Sequence, residues 1–182
     1  SAASDVYKRQ DLELLDWLNT YTFPQEARYE NTEFAKEAYS VFAEDMKKSP
    51  NTRACIFGTL HVPATEILME QLDKTGIKAM VGKVNMDRNG SPQLQEESAQ
   101  ASADATIQWI EDTLDKFENV KPILTPRFTP SCSDELMEKL SEIQKRYHLP
   151  MQSHLSENFG EIAWVKELCP NTHFYGCLLY TS

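Results

Sequence analysis

Arg53-Ala54-Cys55-Ile56-Phe57-Gly58-Thr59-Leu60 is a short apolar run of the kind that a buried parallel strand gives. The segment after it decides the fold class. Pro63 suits the first turn of a helix, Leu68 and Leu72 fall on one face of it, and Gly76 is a natural stop. Residues 77–84 then read as a second strand, ended by the turn composition Asp87-Arg88-Asn89-Gly90. The alternation continues. A helix carrying Ala103, Ile107, Ile110, Leu114 and Phe117 precedes a third strand at 120–124. Ser133 can cap a helix carrying Leu136, Leu140, Ile143 and Tyr147. His148-Leu149-Pro150 introduces a fourth strand through Ser153, and residues 161–168 close with one more helix.

Upstream of this pattern the spacing predicts a short amphipathic helix at 11–19, with Phe23-Pro24 marking the turn after it. Residues 31–48 come next as a helix with Ala35, Tyr39, Phe42 and Met46 on one stripe, broken at Pro50-Asn51.

Four consecutive βα units imply a parallel sheet with right-handed crossovers. A (β/α)8 TIM barrel has eight such units in about 250 residues, so the expectation is an α/β fold that forms part of one. The chemically capable residues fall at predicted strand C-terminal ends: Thr59 and His61, Met86 and Asp87, Arg127 and Phe128, His154 and Glu157. That is the face on which barrels build active sites. An open doubly wound sheet would also put ligands there. No glycine-rich phosphate loop succeeds any strand, which counts against that sheet and against a flavodoxin-like binding module.

The two ends read differently from the middle. Residues 1–10 and residues 177–182 can each be read as the translated end of a transposon-based sequencing adapter, in opposite orientations. The expected organisation is therefore adapter-derived residues at 1–10 and 177–182, flanking a barrel segment at 11–176.

Composition is that of a globular protein, with 41% hydrophobic and 25% charged residues. The formal net charge is −10, and the terminal stretches hold one acid (Asp5) and two bases (Lys8, Arg9), so the interior is more acidic still. Such acidity, without a basic cluster, argues against nucleic-acid partners and against an anionic membrane surface. No apolar stretch approaches the roughly 20 residues of a membrane span, and no signal peptide is visible. Cys55, Cys132 and Cys169, scattered and without a CxxC pair, read as ordinary thiols of a reducing compartment, so a cytoplasmic location is expected.

Two runs carry chemistry. Gln152-Ser153-His154-Leu155-Ser156-Glu157-Asn158 offers a metal-capable imidazole with a carboxylate three residues on. Thr125-Pro126-Arg127-Phe128 sets a guanidinium beside an aromatic ring where another apolar stretch ends. A hydrolytic deaminase needs such parts: a ligand for a metal that activates water, a carboxylate to move protons, and a cation with a π-face to hold a flat base. Each residue also has a plain structural role open to it. His154 could be a hydrogen-bonded framework histidine, and Glu157 an acid favoured by the next helix N-terminus. Arg127 could pair with one of the many acids, and Phe128 could be core. His61 could line a pocket but has no evident partner, His148 sits in a connection exposed to solvent, and His173 carries no assignment.

Together the two runs closely resemble the guanine deaminase family of metal-dependent amidohydrolases, and the likeness extends over nearly all of residues 12–175. Tyr21-Thr22-Phe23-Pro24 and the run from Gly82 to Asn89 share it as framework. Asn158 after the glutamate, where related deaminases more often carry Thr or Ser, points toward guanine. The resemblance implies the hydrolysis of guanine to xanthine and ammonia in purine catabolism, with one zinc ion per subunit. It implies His154 as a zinc ligand and Glu157 as the proton-moving catalytic residue. Arg127, Phe128, His154, Leu155, Ser156 and Glu157 would surround the purine, and a homodimeric whole protein is compatible with it. The remaining metal ligands of the family, a His-x-His pair, a later histidine and an aspartate, have no counterpart here, so one ligand of the set is present. Two other expectations stay open: an aminohydrolase of the same superfamily with another heterocycle, and a truncated chain with no activity of its own.

Overall fold

The computed structural model describes residues 14–171. His173, Cys177 and both stretches read as adapter lie outside them. A short helix α1 (Leu14–Trp17) runs through a wide π-helical turn (Leu18–Thr22) into α2 (Phe23–Ala27) and a 3-10 turn (Arg28–Glu30). Phe23-Pro24 thus opens a helix instead of marking a turn. Proline is tolerated in a helix's first turn because the missing N–H has no intrahelical acceptor there. Next comes α3 (Thr32–Lys48), whose Asn31 cap accepts hydrogen bonds from the N–H groups of Glu33 and Phe34. Its buried positions are Ala35, Tyr39 and Ala43, while Phe42 stands partly exposed, so the inward stripe is rotated from the one expected.

The alternating part then runs as β1 (Arg53–Phe57), α4 (Val62–Asp73), β2 (Lys78–Gly82), β3 (Val84–Asn85), α5 (Ala99–Thr113), β4 (Val120–Pro122), β5 (Thr125–Pro126), α6 (Asp134–Tyr147) and α7 (Phe159–Leu168). All strand pairs are parallel. β1 pairs with β2 and β2 with β4; beyond a break, β3 pairs with β5. The fourth expected strand is reduced to one parallel bridge between Leu124 and Met151. Two bonds flank it, from the Leu124 N–H to the Pro150 carbonyl (3.0 Å) and from the Gln152 N–H to the Leu124 carbonyl (2.9 Å). Four segments therefore lie side by side in chain order, as consecutive units of a barrel do.

The break between β2 and β3 has a packing cause. A Cβ at Gly82 would sit 1.6 Å from the Thr125 hydroxyl and 2.8 Å from the Ile123 carbonyl, so only glycine lets the neighbouring backbone come this close. Directly after it Lys83 turns fully inward and pairs with Glu96, whose other oxygen accepts the Met86 N–H at 3.0 Å. Burial pushes the Lys83 ammonium below its ordinary range, and the adjacent Glu96 carboxylate opposes that shift.

Helices cover one face of the sheet. Val81, Val120 and Leu124 meet Leu68 and Leu72 of α4, Trp109 and Ile110 of α5, and Leu136 and Leu140 of α6 in the main core. Lys78 and Met80 alternate with buried Ala79 and Val81 and are themselves exposed, so β2 is covered on one face where a strand buried on both was expected. A second cluster joins Phe23 of α2 to Val84, Met86 and Leu94, with Phe57 and Leu60 against it, near the strand C-terminal ends.

Removing one partner of the enclosed Lys83–Glu96 pair strands the other charge in apolar surroundings. Glu96→Ala is expected to lower the unfolding free energy by about 3–5 kcal/mol, read from the midpoint of urea unfolding. An unchanged midpoint would show that the lysine finds water at no cost.

Candidate active site

The Arg127 carbonyl is the meeting point of the site. Arg127 extends from β5, its N–H donating to the Asn85 carbonyl at 3.1 Å. Its own carbonyl oxygen accepts the His154 N–H at 2.9 Å and lies 2.9 Å from the His154 Nδ1. The Ser153 hydroxyl donates to it as well, at 3.3 Å. With the hydrogen on Nδ1, the ring donates to that carbonyl and leaves the Nε2 lone pair available. That is how metal-ligating histidines are oriented. The ring face is supported by Phe57, with centroids 4.1 Å apart. Before this point Gln152 donates to the Ile56 carbonyl at 3.2 Å and to the Thr125 hydroxyl at 3.0 Å, tying the segment across the sheet.

The Arg127 and Phe128 side chains meet different neighbours. The guanidinium is buried, lies 4.7 Å from the centroid of Phe23 and forms a two-pronged pair with Glu26: Nη1 to Oε1 at 3.0 Å and Nη2 to Oε2 at 2.7 Å. The Phe128 ring meets Trp164 of α7 edge-on, with centroids 6.4 Å apart. Phe23 and Glu26 are three residues apart in α2 and hence share a helix face turned to the same guanidinium. Sequence reasoning treated the Phe23-Pro24 region as framework and missed Glu26. The signal was present in that spacing, but nothing in the sequence tied it to an arginine 101 residues away.

Beyond His154 the chain leaves the sheet. Leu155, Ser156 and Glu157 are exposed, and Ser156 takes a left-handed backbone (φ 56°) that turns the loop toward α7. The helix end holds this loop from below. The Asn158 side chain accepts the Glu161 N–H, and the buried Glu161 carboxylate accepts the Glu157 N–H, each at 2.7 Å. Glu157 is thus fixed through its backbone with its carboxylate left toward solvent.

The other candidates have structural work. Thr59 is buried, and its carbonyl accepts the Thr65 hydroxyl at 2.9 Å. Asp87 accepts both the N–H and the hydroxyl of Ser133, joining its loop to the cap of α6. His148 ends α6 in a left-handed conformation, exposed. Cys132 is buried, donates to the Asn85 carbonyl at 3.2 Å, and burial raises its thiol to about 11, which keeps it protonated and unreactive.

His154 therefore fits a metal by tautomer and support, as one ligand of the three or more that a catalytic zinc takes. Among the described residues no group of three His, Cys, Asp or Glu is placed to hold an ion. Nor is any helix among them long and apolar enough to cross a membrane.

The Amidohydrolase family pattern matches residues 2–180. The chain belongs to the amidohydrolase family. It is 45% identical over 166 residues to the guanine deaminase of Rattus norvegicus, a match covering 91% of this chain and 37% of that protein. With the guanine deaminase of Escherichia coli K12 it shares 36% over 164 residues, covering 90% of this chain and 37% of the relative. A solved guanine deaminase from C. acetobutylicum, with guanine bound in its active site, superposes with a TM-score of 0.90 at 48% identity. That superposition covers 94% of this chain and 41% of that one. This amidohydrolase segment is a partial α/β barrel that spans little more than a third of the length of these relatives.

His61 caps no group with its side chain, and its Nε2 is buried without a hydrogen-bond partner among the described residues. Burial pushes it below its ordinary value of 6.5, against the pull of Glu30 and Glu26. A depressed value means that, as pH falls below 6.5, the unfolded chain takes up the proton first and folding loses free energy. His61→Gln is expected to flatten the stability profile between about pH 7 and 5, measured by urea unfolding across that window. A wild-type and variant profile of equal slope would remove His61 from the acid response.

Proposed function

We propose that the protein carrying this segment is a hydrolytic deaminase of guanine, releasing ammonia and xanthine. The observation that carries the reading is the His154–Arg127 junction: one carbonyl orients a metal-type imidazole and belongs to the residue whose buried guanidinium is backed by an aromatic ring. The 48%-identical enzyme with bound guanine supports the choice of base. A purine offers a carbonyl and a ring nitrogen on one edge, which two parallel guanidinium donors match, and a flat face for the Phe128 ring.

His154 would supply Nε2 to a zinc ion, with further ligands from outside this segment; when bound, the ion supplies an activated water. The chain's own residues do the rest. Glu157, the first acid after His154, takes a proton from the attacking water and delivers it to the ring. The water oxygen bonds to the carbon that carries the exocyclic amino group, its remaining proton passes to that amino nitrogen, and the carbon–nitrogen bond breaks so that ammonia leaves. Arg127 and Phe128 hold the base in register, and Leu155 and Ser156 form the near wall. The same reading places the enzyme in purine catabolism in the cytoplasm, without nucleic-acid or membrane partners, and is compatible with a homodimer. Residues 1–10 and 177–182 are, on this proposal, adapter-derived and take no part.

In a full-length enzyme carrying this segment, Glu157→Gln is expected to keep its zinc and lose about 10²–10⁴-fold in kcat, because an amide cannot take the proton. Ammonia release and metal content measured on the same sample check both halves. Near-normal turnover would remove Glu157 from the reaction. The 182-residue chain by itself is expected to release no ammonia from guanine with zinc supplied, since His154 is one ligand where at least three are needed. Turnover by purified monomer would mean that a complete ligand set lies within it.

A further inference from the structure

Among the described residues, Glu26 is the acid that meets Arg127, and it does so under cover: its side chain is 13% exposed and that of Arg127 10%. The pairing geometry matters more than its existence. Glu26 contacts Nη1 and Nη2, the far end of the guanidinium. The Nη1 group also lies 3.6 Å from the Met86 sulfur, and Phe23 backs the plane. An arginine has five N–H donors in a rigid fork, so end-on pairing leaves the Nε–H and the second Nη2 hydrogen as a separate edge of two parallel donors. The carboxylate fixes the plane of that edge, and the pair as a whole carries no net charge.

We infer that Glu26 is a positioning residue which holds the Arg127 cation in a pair of zero net charge with one two-donor edge left over, so that the clamp selects an uncharged heterocycle over an anionic one. The inference rests on the deaminase reading and deepens it by naming what the clamp discriminates. A bare buried guanidinium would favour anions, because charge–charge attraction is large where water is scarce. Paired with Glu26, it offers only directed hydrogen bonds, which suit the carbonyl and ring nitrogen of a neutral base and give an anion no advantage.

The test uses a full-length enzyme carrying this segment, with guanine as substrate and urate, a purine that is anionic at neutral pH, as competing inhibitor. Glu26→Gln is expected to raise KM for guanine about tenfold or more with kcat within about threefold, the pattern of lost binding. The ratio of guanine KM to urate inhibition constant should rise about tenfold, since the uncovered cation now favours the anion. A merely structural role would leave that ratio unchanged, and an unchanged ratio overturns the proposal. On an Arg127→Gln background, Glu26→Gln should add no further change in KM; a full additive loss overturns it equally. Should the glutamine variant fail to accumulate, Glu26→Asp keeps the charge and shortens the reach. It is expected to raise KM while leaving the ratio as in wild type, and a fall in kcat at unchanged KM overturns the assignment. Wild-type enzyme without turnover of guanine would instead overturn the deaminase reading, an outcome distinct from a wild-type that works and a Glu26 variant that matches it.

Discussion

The buried pair between Glu26 and Arg127 joins two parts of the chain 101 residues apart, and the shape of the site depends on it. Arg127 leaves the sheet at the end of β5, held by backbone bonds to Asn85 on one side and His154 on the other. With its main chain so constrained, its side chain reaches Glu26 and Phe23 of α2. An unpaired guanidinium there would carry a heavy desolvation cost. Glu26 meets it with two short bonds, and Phe23, a turn away on the same helix face, covers its plane. The N-terminal arm is therefore not an appendage of the barrel segment. It closes the strand C-terminal end and is closed by it. Buried ion pairs stabilise little compared with apolar packing, and their better-attested contribution is to specify one arrangement. Here the arrangement specified is the seating of α2 against the end of β5.

How much of this was legible in the sequence differs by element. Strand–helix alternation was readable because period and punctuation agree: Pro63, Gly76 and Ser133 each fall at a helix boundary and do there what their chemistry predicts. Strand lengths were less so. The run at 77–84 looks continuous in hydrophobicity, yet it is divided at Lys83, whose inward turn depends on Glu96 thirteen residues on. The fourth strand shrank to a bridge because its partner Leu124 lies where β4 gives way to β5. Phe42 was misassigned for a similar reason. Helical periodicity gives a stripe but not which edge of it meets a neighbour, and Ala43 took the inward place.

The site divides along the same line. His154 and Glu157 stood out as candidates because their spacing is local. Arg127 was readable as a residue but not as a conformation, since its orientation is set by an acid in another part of the chain. Glu161 passed unnoticed as one more acid on a helix, although it is almost fully buried and holds the Glu157 N–H. Local spacing leaves a short pattern in a sequence, whereas a partner 101 residues away such as Glu26 is recognisable only through the contact that the fold creates.

That distinction bears on how the loop after His154 keeps its geometry. The imidazole is anchored to a strand carbonyl, whereas Glu157 sits three residues out, beyond a left-handed Ser156 and in solvent. A carboxylate on a free loop would sample many positions. Two helix-end interactions restrict it: Asn158 caps α7, and Glu161 in the first turn of that helix reaches back to the loop. The reciprocal arrangement resembles a capping box shifted by one residue, with the acid engaging the residue before the cap. Because the Trp164 ring of the same helix meets Phe128, α7 contacts both the end of the Thr125–Phe128 run and the loop after His154. A displacement of α7 would move Glu157 and Phe128 together, while His154 and Arg127 stayed with the sheet.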